Sequence, residues 1–218
     1  MSTPIPYLSA LVLLCSAFPT QLFRVVMVAA PDRARWLSAL APPALLSLLA
    51  GLVWYVAPTS GVLQAPSTWL WCAVAVVVGG SLPAVELGTG LLLAKLGRRR
   101  VAGIGLHERV SGGGWLTLVL VPVTIAVAEE VIFRGVALEL LVGPLGWPAA
   151  LAVAATAIGY GLNHTYFGWL TVAQKVVSGA GFGVLYLAAG GSLLVPAIAH
   201  AVQNLVVYVV LPRLRGRR

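Results

Sequence analysis

Two carboxylates stand side by side in the apolar stretch "VTIAVAEEVIFRGVALEL", residues 123–140, and a base follows four positions on. Glu130 and Arg134 are i,i+4, so they share a helix face and can pair. Glu129 lies about 100° further round the helix and must look to another partner. A structural ion pair accounts for Glu130 and Arg134 but leaves Glu129 unexplained. Ionised neighbours repel in low dielectric, and a carboxyl crowded in this way is suited to work as a general base.

Two further pairs bear side chains able to do chemistry. In "YGLNH", Tyr160 and His164 share one helix face by the same i,i+4 spacing. In "PAIAHAVQNLVVYVV", so do His200 and Asn204. Both of these can donate hydrogen bonds, either as glue between helices, worth about 0.6 kcal/mol per bond, or to a developing oxyanion. Glu129, His164 and His200 could also supply the three protein ligands of a catalytic zinc, although no H-E-x-x-H helix accompanies them. Lys175 is expected to pair with a carboxylate such as Glu86 or to snorkel to the surface. Glu86 and Tyr160 are candidates for lining a cavity. His107 and Glu108 fall in a Gly- and Arg-rich loop and read as solvated. The small residues of "SGAGFG", 178–183, read as close helix packing.

These groups need a scaffold, and the composition says which kind. Of 218 residues, 60% are hydrophobic and only 9% charged, against about 25% charged in a soluble domain. The apolar residues come in blocks long enough to cross a bilayer. The expectation is an all-α, polytopic membrane bundle of about seven spans (six to eight), near 7–30, 37–57, 68–96, 115–143, 147–164, 168–188 and 191–211. The first is interrupted by Pro19 and Arg24, and the third could kink or break at Gly79, Gly80 and Pro83. An ionisable side chain placed inside such a bundle costs at least about 2.5–3.5 kcal/mol, which makes each one a functional candidate.

The net charge of +8 does not point to nucleic acid, since no soluble basic stretch interleaved with aromatics exists. Lys and Arg gather at 33–35, 95–109 and 213–218, while loops such as "APTSGVLQAP" carry none. With seven spans those basic regions fall on one side, which puts the N-terminus outside and the C-terminus in the cytoplasm of a cell membrane. Cys15 and Cys72 lie in apolar blocks and read as buried thiols, with no metal or disulfide spacing. Without a basic stretch before it, the first block reads as a retained span.

Depth can be estimated from the turn near "GPLGW". Glu129 and His164 each lie about 17 residues from its centre, or about 25 Å along either helix at 1.5 Å per residue. They should sit at similar depth, towards the cytoplasmic half, with His200 nearer mid-membrane. A proton-coupled transporter would also use intramembrane Glu and His, but it would leave the three motifs unclustered and tends to show inverted repeats. No repeat is visible.

"EEVIFR", "YGLNH" and "HAVQN" fit E-E-x-x-x-R, aromatic-x-x-x-H and H-x-x-x-N, in that order on three helices. In this they resemble the CPBP (Abi) family of intramembrane proteases, which includes CAAX prenyl endopeptidases and bacteriocin-processing or immunity proteins. The resemblance covers 115–211, the catalytic core, with 1–114 supplying N-terminal spans and a basic loop and 212–218 a basic tail. It implies that Glu129 and His164 activate a water, that His200 and Asn204 hold the oxyanion, and that Glu130 and Arg134 form a supporting ion pair. It favours a glutamate-dependent mechanism with no cofactor over the older zinc assignment, and a substrate that is a membrane-associated peptide or protein tail. Tyr160 departs from the usual Phe. A membrane immunity protein or partner-binding scaffold that keeps the fold without catalysis is the other expectation from this family.

Overall fold

The computed structural model describes residues 35–58, 64–97 and 115–212. Among these residues every regular element is helical. The first predicted span, most of the basic loop after residue 97 and the terminal arginines lie outside the described residues, so the orientation drawn from them stays an expectation.

Helix α1 is Arg35–Val56 and α2 is Leu70–Leu96. Helix α3 runs as Trp115–Glu130, continues through a π-helical stretch Val131–Leu138, and ends in the turn Glu139–Val142. Helix α4 is Ala149–Leu162, α5 is Trp169–Ala188, and α6 is Leu194–Leu205 with a π-helical extension Val206–Val210. A short 3-10 turn, Thr165–Phe167, joins α4 to α5. Six of the seven predicted blocks thus coincide with helices. Two of them, α2 and α5, are by length and composition able to cross a membrane on their own. The third block does not break: α2 runs uninterrupted through Pro83.

Packing follows the spacing of apolar residues. Leu46, Leu49, Ala50 and Val53 of α1 make a stripe that meets Ala128, Ile132, Val136 and Leu140, one residue in four along α3. A second cluster joins α2, α4, α5 and α6 through Ala75, Leu82, Tyr160, Phe182, Val195 and Ala199. A third, with Leu138, Leu141, Val153, Tyr186 and Leu193, closes the opposite end of α3. The outward faces remain apolar, with Val77, Leu92, Leu120, Leu151 and Val184 all exposed. Soluble monomers avoid such extended apolar surface; lipid does not penalise it.

Small residues set the closest approaches. A side chain at Gly79 of α2 would collide with the Ala199 carbonyl of α6, so glycine alone lets these two helices lie against each other. Gly179 of α5 plays the same part against α4, where a Cβ would meet the Tyr160 ring at 2.9 Å. The reading of "SGAGFG" as a packing stripe therefore holds at Gly179 and at Gly183, which faces Val153.

Candidate active site

The polar centre is assembled where α3, α4, α5 and α6 meet. Glu129 and Glu130 occupy the last residues of the α-helical part of α3, and the π-helical stretch starts at the next residue. Such π segments are rare and often occur at functional sites. This one carries Arg134 beneath the two acids.

Glu130 and Arg134 are both fully buried and pair at 2.9 Å from Nη1 to Oε1. Arg134 Nη2 also donates to the Gly179 carbonyl at 2.7 Å. Its guanidinium lies over the rings of Tyr160, at 4.9 Å, and Phe182, at 5.2 Å, an enclosure that suits a planar weakly hydrated cation. The same Glu130 Oε1 faces His200 Nδ1 at 2.8 Å. A carboxylate oxygen accepts, so Nδ1 is a protonated nitrogen of His200, and Nε2 is the one turned to Glu129 and Tyr160. Phe182 stacks on that imidazole, with centroids 4.8 Å apart and planes 21° from parallel.

Glu129 has a looser environment. Its Oε1 accepts from Asn163 Nδ2 at 3.2 Å, and its Oε2 lies 3.6 Å from His200 Nε2. That same Nε2 is 3.3 Å from the Tyr160 hydroxyl. The side chain of Glu129 is buried but not sealed. Adjacent acids are thus held in different ways: Glu130 is clamped by two cationic or cation-forming groups, while Glu129 is only steered.

The sequence paired Glu129 with His164. In the structure, Glu129 accepts a hydrogen bond from Asn163 and lies 3.6 Å from His200, and the His164 Nδ1 donates to the Tyr160 carbonyl at 2.9 Å. A carbonyl can only accept, so the neutral His164 ring carries its lone pair on Nε2. The ring meets Tyr160 edge-on at 4.9 Å. Asn204 is one turn beyond His200 on α6, and its Nδ2 donates to the Pro122 carbonyl of α3 at 3.0 Å. Glu129, Glu130, Arg134, Tyr160 and His200 therefore form one contact cluster, with His164 attached through Tyr160 and Asn204 tied to the α3 backbone beside it. Clustering of this kind is what the transporter alternative did not expect.

Lys175 and Glu86, both mostly buried, form an ion pair at 2.8 Å, as the sequence anticipated. Ser178 Oγ donates to the same Glu86 oxygen at 2.6 Å. Among the described residues no three of His, Cys, Asp and Glu come together as a group able to hold a metal. The zinc set offered by the sequence supplies Glu129 and His200 as neighbours, while the assigned His164 bond goes to a backbone carbonyl.

Sequence reasoning passed over four residues of the cluster. Asn163 sits beside His164 inside "YGLNH", and its position as the last residue of the α4 cap aims it at Glu129. Phe182 gave no signal beyond its apolar type. Ser178 and Gln203, both fully buried and polar, follow Lys175 and His200 by three residues, a helical spacing that would have flagged them.

Residues 111–206 match the family described as Rce1-like, type II CAAX prenyl endopeptidase Rce1-like. No curated protein and no solved structure gives a match.

Proposed function

We propose that this chain, whose residues 111–206 match the Rce1-like type II CAAX prenyl endopeptidase family, is an intramembrane endopeptidase that hydrolyses a peptide bond in the tail of a membrane-associated peptide or protein. The observation that carries the reading is the unequal treatment of two adjacent acids: Glu130 is locked by Arg134 and His200, while Glu129 is left facing His200 Nε2 and Asn163.

In this reading a water binds between Glu129 Oε2 and His164 Nε2. Glu129 takes its proton as the oxygen attacks the scissile carbonyl carbon, and the carbonyl π-electrons move to oxygen. In its doubly protonated form His200 donates from both nitrogens, Nδ1 to Glu130 and Nε2 to the oxyanion. The second N–H of the Asn204 amide, beyond the one bound to Pro122, is the other donor. Collapse of the tetrahedral intermediate breaks the C–N bond, and Glu129 returns its proton to the leaving amine. Arg134 offsets the Glu130 charge and so fixes His200 without taking part in bond-making. Asn163 holds the Glu129 carboxylate in one rotamer.

The membrane setting is proposed on the apolar outer faces, on two helices long enough to span, and on exposed Trp69, Trp147 and Trp169 at the starts of α2, α4 and α5, where interfacial tryptophans collect. A multi-pass arrangement with the C-terminus in the cytoplasm follows from the loop charges. The substrate is a CAAX-type prenylated end or another processed peptide or sorting tail. Mass spectrometry of membrane and released peptides, from cells carrying the wild-type gene or Glu129→Ala, tests this. The expected result is a tail fragment present only with wild type; identical peptide sets would contradict it.

A further inference from the structure

Glu86 belongs to α2, outside the segment that matches the protease family, yet it reaches into that segment at three points. Lys175 Nζ and Ser178 Oγ of α5 both donate to its Oε1, at 2.8 and 2.6 Å, and Gln174 Nε2 donates to its backbone carbonyl at 2.8 Å. Ser178 in turn accepts from Gln203 Nε2 of α6 at 3.4 Å. Gln203 is three residues from His200, on a neighbouring part of the same helix face. Two turns earlier on α2, Gly79 touches α6 at Ala199, the residue before His200.

Packing alone does not call for this chain of groups. Gln203 is fully buried, and its Oε1 has no hydrogen-bond partner among the described residues. A leucine of similar size would fill the place without that desolvation cost. A glutamine there makes sense for what its amide holds. His200 needs such a hold, because its two nitrogens must face Glu130 and Glu129 together, and a small rotation of α6 would lose one of them.

We infer that Glu86, acting through Ser178 and Gln203, is a positioning residue that keeps the His200 face of α6 against Glu129. The inference rests on the proposed reaction, and its test has one readout independent of turnover. The protein has three histidines, His107, His164 and His200, so ring 15N resonances can be assigned by single substitutions. The full-length protein in liposomes is assayed with an internally quenched prenylated CAAX peptide, in parallel with 15N-histidine spectra.

Glu86→Ala and Ser178→Ala are each expected to lower kcat about tenfold with KM little changed, and to move the His200 ring resonances. Glu86→Gln keeps an oxygen for Ser178 and should recover most of the rate and the wild-type His200 signals. A kcat within about twofold of wild type in both alanine variants, or a lower kcat with His200 resonances unmoved, overturns the inference. If an alanine variant does not fold, Ser178→Cys takes its place, as a weaker hydrogen-bonding group of similar size. A wild-type protein that never cleaves the peptide counts against the proposed reaction, and the His200 spectra alone then decide the positioning claim.

Discussion

Two regions place acids among apolar helices, and they treat them in opposite ways. At the α2–α5 contact, Glu86 meets one cation and one hydroxyl through a single oxygen, near the edge of the bundle where both charged side chains keep slight exposure. At the α3–α4–α6 contact, two acids adjacent in sequence share one imidazole, and only one of them is given an arginine. A matched pair is a device for holding helices. The acid left over from a matched pair, steered by an amide at 3.2 Å, is the one we propose moves a proton.

That contrast breaks most sharply at Glu129. Glu129→Ala should remove cleavage by about 10²–10⁴-fold, the range of a lost general base, while the thermal midpoint in detergent barely moves. His164→Ala should come next, with a loss of about a hundredfold if its Nε2 helps to hold the water; single-turnover kinetics on the quenched peptide measure both. Arg134→Met should act on stability first. It strands the buried Glu130 carboxylate, at a cost of about 3–5 kcal/mol, visible as loss of folded protein in a denaturant series before any assay is run. Asn163→Ala should cost about tenfold in kcat, since it frees the Glu129 rotamer without removing the base. Lys175→Met should be the mildest, about 1 kcal/mol or less of stability, because Glu86 keeps its Ser178 bond and membrane hydrogen bonds are individually weak.

The sequence made the helices readable because a bilayer demands long apolar blocks, and six of seven blocks land on helices. The same i,i+4 logic placed Glu130 against Arg134 and suggested Lys175 against Glu86. What it could not resolve was rotation. The depth ruler from "GPLGW" brought the end of α4 level with Glu129, but the residue that arrives is Asn163, one position from the predicted His164. That outcome depends on how α4 gives way to a 3-10 turn, a detail of capping absent from hydrophobic periodicity. Likewise, His200 bridges both acids because α3 turns π-helical at Val131 and because Gly79 lets α2 press on α6. Neither the π stretch nor the close approach is written in residue type alone.

In the proposed reaction Glu129 is the base and Glu130 its scaffold, and a change of carboxylate to amide at each position separates the two roles without altering side-chain size. Purified wild type, Glu129→Gln and Glu130→Gln, each in liposomes with the quenched prenylated peptide, should give cleavage by wild type, none by Glu129→Gln in a fully folded protein, and reduced cleavage by Glu130→Gln with lower stability. Cleavage by folded Glu129→Gln at a rate near wild type would contradict the account.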